Sequence, residues 1–290
     1  MSSRVFVAGA VSWNHIVNLD ALPAPVPHME FVRSHHWTVG GTSAGKALNL
    51  RSLGVPVTLR TVVGADEVAG QVLSVLRDAG IELVVEVAPA GRTEQHLNLM
   101  DPSGRRVSLY LESPLLADAD VRFASATSEA LRAADAVVID LSEHSRPLLA
   151  QARSLGRATW CDLHDYDGSS VWHQDFVDAA GHLFLNDDKI ADPETFARDR
   201  IRAGAELVVV TRGAAGAFAM ARDGIPRVVA AEPVDKVVDT NGAGDAFFAG
   251  YLAAQLEGRG VDDCLRAGAH QAARCIQTTE LAPRQPPTPV

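Results

Sequence analysis

Short apolar runs recur along the chain, at Val5–Ala8, Val57–Val63, Ala136–Ile139, Ala158–Cys161, His182–Leu185 and Leu207–Val210. Runs of this kind read as buried strands. Between many of them lie segments with helical spacing. Val68, Val72, Val75 and Leu76 form one apolar stripe, and Phe247, Tyr251, Leu252 and Leu256 form another. Strand alternating with helix predicts an α/β chain: a mostly parallel sheet covered by helices on both faces.

Two stretches interrupt that rhythm. Residues 12–38 hold Pro23, Pro25 and Pro27, followed by Met29–Val39, which reads as strand. Residues 92–112 read as a hairpin, His96–Met100 and Arg106–Leu111 joined by the turn Asp101-Pro102-Ser103-Gly104. Together they predict a small β lid on the α/β body. The proline-rich tail from Pro283 is expected to be loose. With no internal repeat and no low-complexity linker, residues 1–290 read as a single domain with a lid.

Composition removes several function classes. Hydrophobic residues make up 47% and charged residues 21% of the 290, a globular balance that excludes disorder as the main state. A net charge of -10 argues against generic binding to nucleic acid or an anionic membrane. Cys161, Cys264 and Cys275 are too scattered for a disulfide framework or a paired zinc site. No spacing among His15, His28, His35, His36 and His96 predicts a metal centre. Neither a membrane span nor a signal peptide is legible, so a cytoplasmic location is the expectation.

The strongest chemical signal is Asp239-Thr240-Asn241-Gly242-Ala243-Gly244-Asp245, between the strand-like run Val234–Val238 and an amphipathic helix. Gly242, Ala243 and Gly244 would stand at that helix's N-terminus, where unpaired amides and the macrodipole favour a phosphate. Asp245 follows directly, so its carboxylate can reach a hydroxyl attacking phosphorus.

This stretch resembles the DTxGAGD signature of the ribokinase/PfkB sugar-kinase family. Other features resemble that family in order: Ser12-Trp13-Asn14, the helix-opening Gly40-Gly41, Asn186-Asp187-Asp188-Lys189, and Thr211-Arg212-Gly213-Ala214-Ala215-Gly216. The resemblance implies a three-layer α/β/α sandwich, ribokinase-like, with a β-sheet lid. It also implies ATP-dependent phosphorylation of a hydroxyl on a sugar or, alternatively, a nucleoside, with Mg2+ as cofactor. Asp245 would be the base, and the amides of Gly242, Ala243 and Gly244 the anion hole. Asn186, Thr211, Gly213 and Gly216 would line the nucleotide. Asn14, Gly40, Gly41, Gly45 and Asp239 would serve the substrate. The family's dimers form through the lid, so a homodimer is implied as well.

Several positions depart from the family pattern. Asn14 replaces an Asp that grips sugar hydroxyls, Gly45 replaces a sugar-contacting Asn and opens space, and Lys189 replaces the Glu of N-x-x-E. Asp187 or Asp188 could compensate for the last. Glu280 falls near a glycine of the monovalent-cation loop, which leaves cation activation open. The same departures keep a catalytically weak sugar or nucleotide sensor as an alternative. A rival motif, Gly40–Ala47, nearly spells GxxxxGK[ST], with Asp140 as a possible acidic partner. Ala47 lacks the hydroxyl a P-loop needs and a lid strand precedes the loop, both of which oppose a P-loop nucleotide hydrolase; Lys46 supports it and keeps it as a second alternative.

Overall fold

The computed structural model describes residues 3–116 and 125–283. A large sheet is built from β1 (Val5–Ala8), and a smaller one begins with β2 (Ser12–Asn18) and β3 (Ser34–Gly40). The chain continues through α1 (Thr42–Ser52), β4 (Val57–Val63), α2 (Glu67–Asp78), β5 (Glu82–Val87), β6 (Ala90–Met100) and β7 (Arg106–Leu115). Next come α3 (Ser125–Ala133), β8 (Ala136–Ile139), α4 (Arg146–Ser154), β9 (Thr159–Asp162), α5 (Gln174–Ala179) and β10 (Ala180–Asn186). Last are α6 (Pro193–Arg202), β11 (Leu207–Thr211), β12 (Ala217–Ala221), β13 (Pro226–Val229), α7 (Ala243–Leu256) and α8 (Val261–Cys275).

The large sheet runs β13-β12-β11-β10-β9-β8-β1-β4-β5, parallel from β11 to β5 and antiparallel at β12 and β13. Alternate side chains of a strand point to opposite faces, so β1 feeds two cores. Val5 and Val7 pack with α1, α2, α7 and α8, while Phe6 and Ala8 pack with α3, α4, α5 and α6. Burial on both sides explains why these strands read as nearly unbroken apolar runs.

Chain order departs from β1 to β4 on one side and to β8 on the other. That reversal opens a crevice at the carboxyl ends of β1 and β8, the usual place for a ligand in an open α/β sheet. Two helices abut it. Most of α1 is buried, including Ser43, Gly45, Lys46 and Asn49, and α7 is buried from Ala246 to Leu252. Neither is a surface helix with one wet face.

The lid forms a separate sheet ordered β3-β2-β6-β7. Its pairings, Asn14 with Thr38 and His96, and His96 with Tyr110, put these residues on one polar face. His15, Trp37, Leu97 and Leu109 share the opposite face.

Three local expectations change. Val234–Val238 is extended loop rather than strand, its Val238 amide donating to Ile276 carbonyl at 2.7 Å; β13 already closes the sheet's antiparallel edge. Met29–Val39 becomes strand only from Ser34. Val75 faces outward, and the α2 stripe is completed by Leu73. The tail beyond Pro283 lies outside the described residues.

Candidate active site

The loop before α7 is wound by its own side chains. Asp239 Oδ1 accepts the Asn241 amide at 2.8 Å, and Gly242 caps the helix with φ 80°, a left-handed conformation that suits glycine. The amides of Gly244 and Asp245 lie in the helix's first turn, with no intrahelical acceptor available to them. That of Ala243 makes a 3.3 Å bond to the Thr240 carbonyl. Nothing lies within 4 Å of where a Gly244 Cβ would sit, so this end of the helix faces open space.

Asp245 is held from below. Lys46, fully buried on α1, places its ammonium 2.8 Å from Asp245 Oδ1, 3.3 Å from Asp140 Oδ1 and 3.4 Å from Asp162 Oδ2. Asp140 follows β8 and accepts a 2.8 Å bond from Ser43 Oγ, while Asp162 ends β9. Burial raises the Asp245 carboxyl to about 6, against the opposing pull of Lys46 and His164. Lys46 is pushed above its ordinary value: burial opposes the charge, but Asp140, Asp245 and Asp162 outweigh it.

A pocket opens above, lined by Asp162, His164, Phe184, Leu185, Asn186, Thr211 and Gly244. His164 adopts φ 53°, unusual for a residue with a side chain, while its amide donates to Asp162 Oδ1 at 3.0 Å. Asn186 ends β10 and accepts the Asp188 amide on Oδ1 at 3.1 Å. Thr211 ends β11 beside it.

Among the residues expected from sequence, Gly244, Asn186 and Thr211 line this pocket, and Asp245 follows Gly244 directly. Gly213 stands in an open turn after β11. Gly216 does not reach the pocket: it lies against the Val229 carbonyl and the Ala230 backbone. Gly40 leaves room for the Asn14 amide, and Gly41 lies 2.6 Å (as a Cβ) from the Ala10 carbonyl, so both serve close chain packing. Asn14 is buried and accepts Ser12 Oγ at 2.7 Å.

Gly45 corrects an expectation. Its missing side chain does not open space for substrate, because the Asp245 carboxylate fills that space. Lys189 pairs with Asp165 at 2.5 Å, leaving Asp187 and Asp188 exposed. The P-loop alternative fails on geometry: Gly40 ends a lid strand, and Lys46 and Asp140 pair with each other.

The lid tip reaches the same loop. Arg106 Nη1 donates to Asn241 Oδ1 at 3.0 Å, and Gly104 sits against Thr240. Arg105 folds back onto Asp101, at 2.7 and 2.8 Å. Sequence reasoning missed Lys46, Asp140 and Asp162 as a group; acidic residues closing the apolar runs before Asp140 and Asp162 were the available signal.

A crevice at a sheet switch point, a glycine-rich helix start and an adjoining carboxylate fit a phosphotransferase-type site. Residues 3–288 match the pfkB family of carbohydrate kinases, and the chain belongs to that family. It is 31% identical over 269 residues to the acarbose 7(IV)-phosphotransferase of Actinoplanes sp., covering 91% of this chain and 89% of that one. It is 30% identical over 272 residues to the ATP-dependent ribose-1-phosphate kinase of Halopiger xanaduensis, covering 90% and 88%. Among solved structures, the microbiome-derived acarbose kinase Mak1 superposes with TM-score 0.83 at 30% identity, over 95% of this chain and 93% of that one. Kinases of this family use ATP. Among the described residues, no helix is long and apolar enough to cross a membrane.

Proposed function

We propose that the protein transfers the γ-phosphoryl group of ATP to a hydroxyl of a saccharide-like acceptor, with Asp245 as the general base. The observation that supports this reading is Asp245 in the first turn of α7, directly after Gly244, which lines the pocket with Asn186 and Thr211, and joined through Lys46 to Asp162 of the same lining. The acceptor hydroxyl oxygen bonds to phosphorus as the bond to the ADP oxygen breaks, and the hydroxyl proton passes to Asp245. The amides of Gly242, Ala243 and Gly244 hold charge developing on the transferred group. The nucleotide runs along Thr211 and Gly213, with Asn186 at its phosphates.

Magnesium neutralises phosphate charge in transfers of this class, and it retains much of its water shell. The Asn186 amide oxygen and the Thr211 hydroxyl are neutral oxygen groups lining the pocket, which suits such a shell. They would hold the ion through its waters.

The acceptor lies against the polar lid face of Asn14, Thr38, His96 and Tyr110, with Gly40 and Gly41 shaping the backbone beside Asn14. The lid segments 12–38 and 92–112 close over one catalytic body spanning the chain, and closure excludes water. Two similar proteins that match over nine-tenths of the chain are named for acarbose, which supports a saccharide-like acceptor. A reaction that consumes ATP is expected in the cytoplasm. The exposed apolar face of the lid, with Trp37, Val107, Leu109 and Leu111, supports a homodimer formed through it.

The test is ADP release from magnesium-ATP with acarbose, maltose, ribose, ribose 1-phosphate and adenosine, alongside Asp245→Asn. Turnover with a saccharide, lost in the variant, is expected. Turnover with adenosine alone would replace the acceptor class, and ATP binding without turnover on any acceptor would favour a sensor.

A further inference from the structure

Lys46 is one of three lysines in the chain, against 23 arginines (26 basic residues less three). Its side chain is completely buried, an expensive position for an ammonium unless it is paired. An ammonium has three donors on a compact centre, and here three carboxylates from three separate elements converge on it. A guanidinium, flat and forked, does not fit that arrangement. Stability alone is a weak reason for such a cluster, since well-packed apolar residues often do as well.

The neighbouring residue completes the geometry. A Cβ on Gly45 would stand 3.0 Å from Asp245 Cβ and Cγ, so the carboxylate reaches the Lys46 ammonium only because residue 45 has no side chain. The proposed transfer gives Lys46 no contact with either substrate, yet it touches the base.

We propose that Lys46 is the positioning residue for Asp245: its buried ammonium draws the carboxylate into the space left by Gly45, fixes its orientation and keeps it ionised in the working enzyme. Asp140 and Asp162 hold the ammonium under the base. The inference rests on Asp245 being the base. Other titratable groups facing Asp245 are Asp162 and His164 after β9, Cys275 on α8 and Asp239 in the preceding loop, with Cys161 beneath Asp140 and Asp162. His164 adds to the pull of Lys46, whereas Asp162 opposes it. The Cys275 and Cys161 thiols are both raised by burial, and so stay neutral at working pH.

The experiment compares wild type, Lys46→Met, Lys46→Met with Asp140→Asn, and Asp245→Asn in pH profiles of kcat, with ATP affinity measured by direct binding. The double variant removes one carboxylate, so the cluster need not bury three unpaired charges. Loss of the cation should move the acid limb of kcat up by at least one pH unit in whichever Lys46 variant folds. At pH 7, kcat should fall at least tenfold through lost orientation and lost ionisation together, and the share due to ionisation should recover by pH 8.5, with ATP affinity within threefold of wild type. A merely structural role predicts a uniform loss with the limb unmoved. That result, or failure of both Lys46 variants to fold, overturns the proposal. Turnover surviving in Asp245→Asn would instead sink the base assignment itself.

Discussion

The Asp245 carboxylate occupies the volume that a side chain at Gly45 would need: a Cβ at residue 45 would lie 2.5 Å from Asp245 Oδ2. Gly45→Ala should therefore push the carboxylate away from its working place and lower kcat about 100-fold, the usual cost of roughly 1 Å of misplacement. ATP affinity should change little. Gly45→Asn should lose activity in the same way, rather than gain an acceptor contact. Steady-state kinetics on both variants check this, and unchanged kcat in Gly45→Ala would contradict it.

Asp245→Asn should lower kcat by about 100- to 10,000-fold, the range for removing a general base. Burial raises the Asp245 carboxyl to about 6, and only the ionised form accepts a proton. Wild-type kcat should thus be level above that value and fall as pH drops through it. A profile that stays flat down to pH 5 would refute the assignment.

Arg106→Ala should detach the lid tip from Asn241, because their 3.0 Å hydrogen bond links the hairpin to the loop before α7. The acceptor KM should rise about three- to tenfold. Stability should change by less than about 1 kcal/mol, since the bond is exposed. A Tm measurement beside the kinetics separates the two effects.

Leu109 and Trp37, about half exposed at 45% and 46%, lie on the lid's apolar face. Sedimentation should find a dimer for the wild type and a monomer for Leu109→Glu, because a buried carboxylate without a partner is costly. A dimer that survives Leu109→Glu would move the interface elsewhere.

Much of the sandwich was legible because buried parallel strands carry their signal locally. Val57–Val63, buried throughout despite Thr58, Arg60 and Thr61, and Ala136–Ile139, apolar throughout, are both strands with the expected bounds. The lid hairpin was legible through its Asp101–Gly104 turn. Val234–Val238 misled because three valines around Asp235 and Lys236 carry strand propensity without saying whether a sheet partner exists, and Val237 and Val238 prove to be exposed loop. The glycine-rich turn and Asp245 could be read from spacing, since they are consecutive. The support beneath them could not: Lys46, Asp140, Asp162 and Asp245 sit on different elements, and only the crossing of strands at the switch point unites them.

Asn49, one turn beyond Gly45, donates to the Leu281 carbonyl at 2.8 Å across 232 residues, and Lys46 meets Asp245 across 199. At about 5–20 residues per second, a ribosome needs on the order of 10–40 s to pass from the first of these partners to the second. Throughout that interval the nascent chain has its first glycine pair and its Lys46 ammonium but not the carboxylate proposed to receive the proton. With Asp245 as the proposed base, an unfinished polypeptide has no means of spending ATP, and the phosphate chemistry switches on only when α7 and α8 dock.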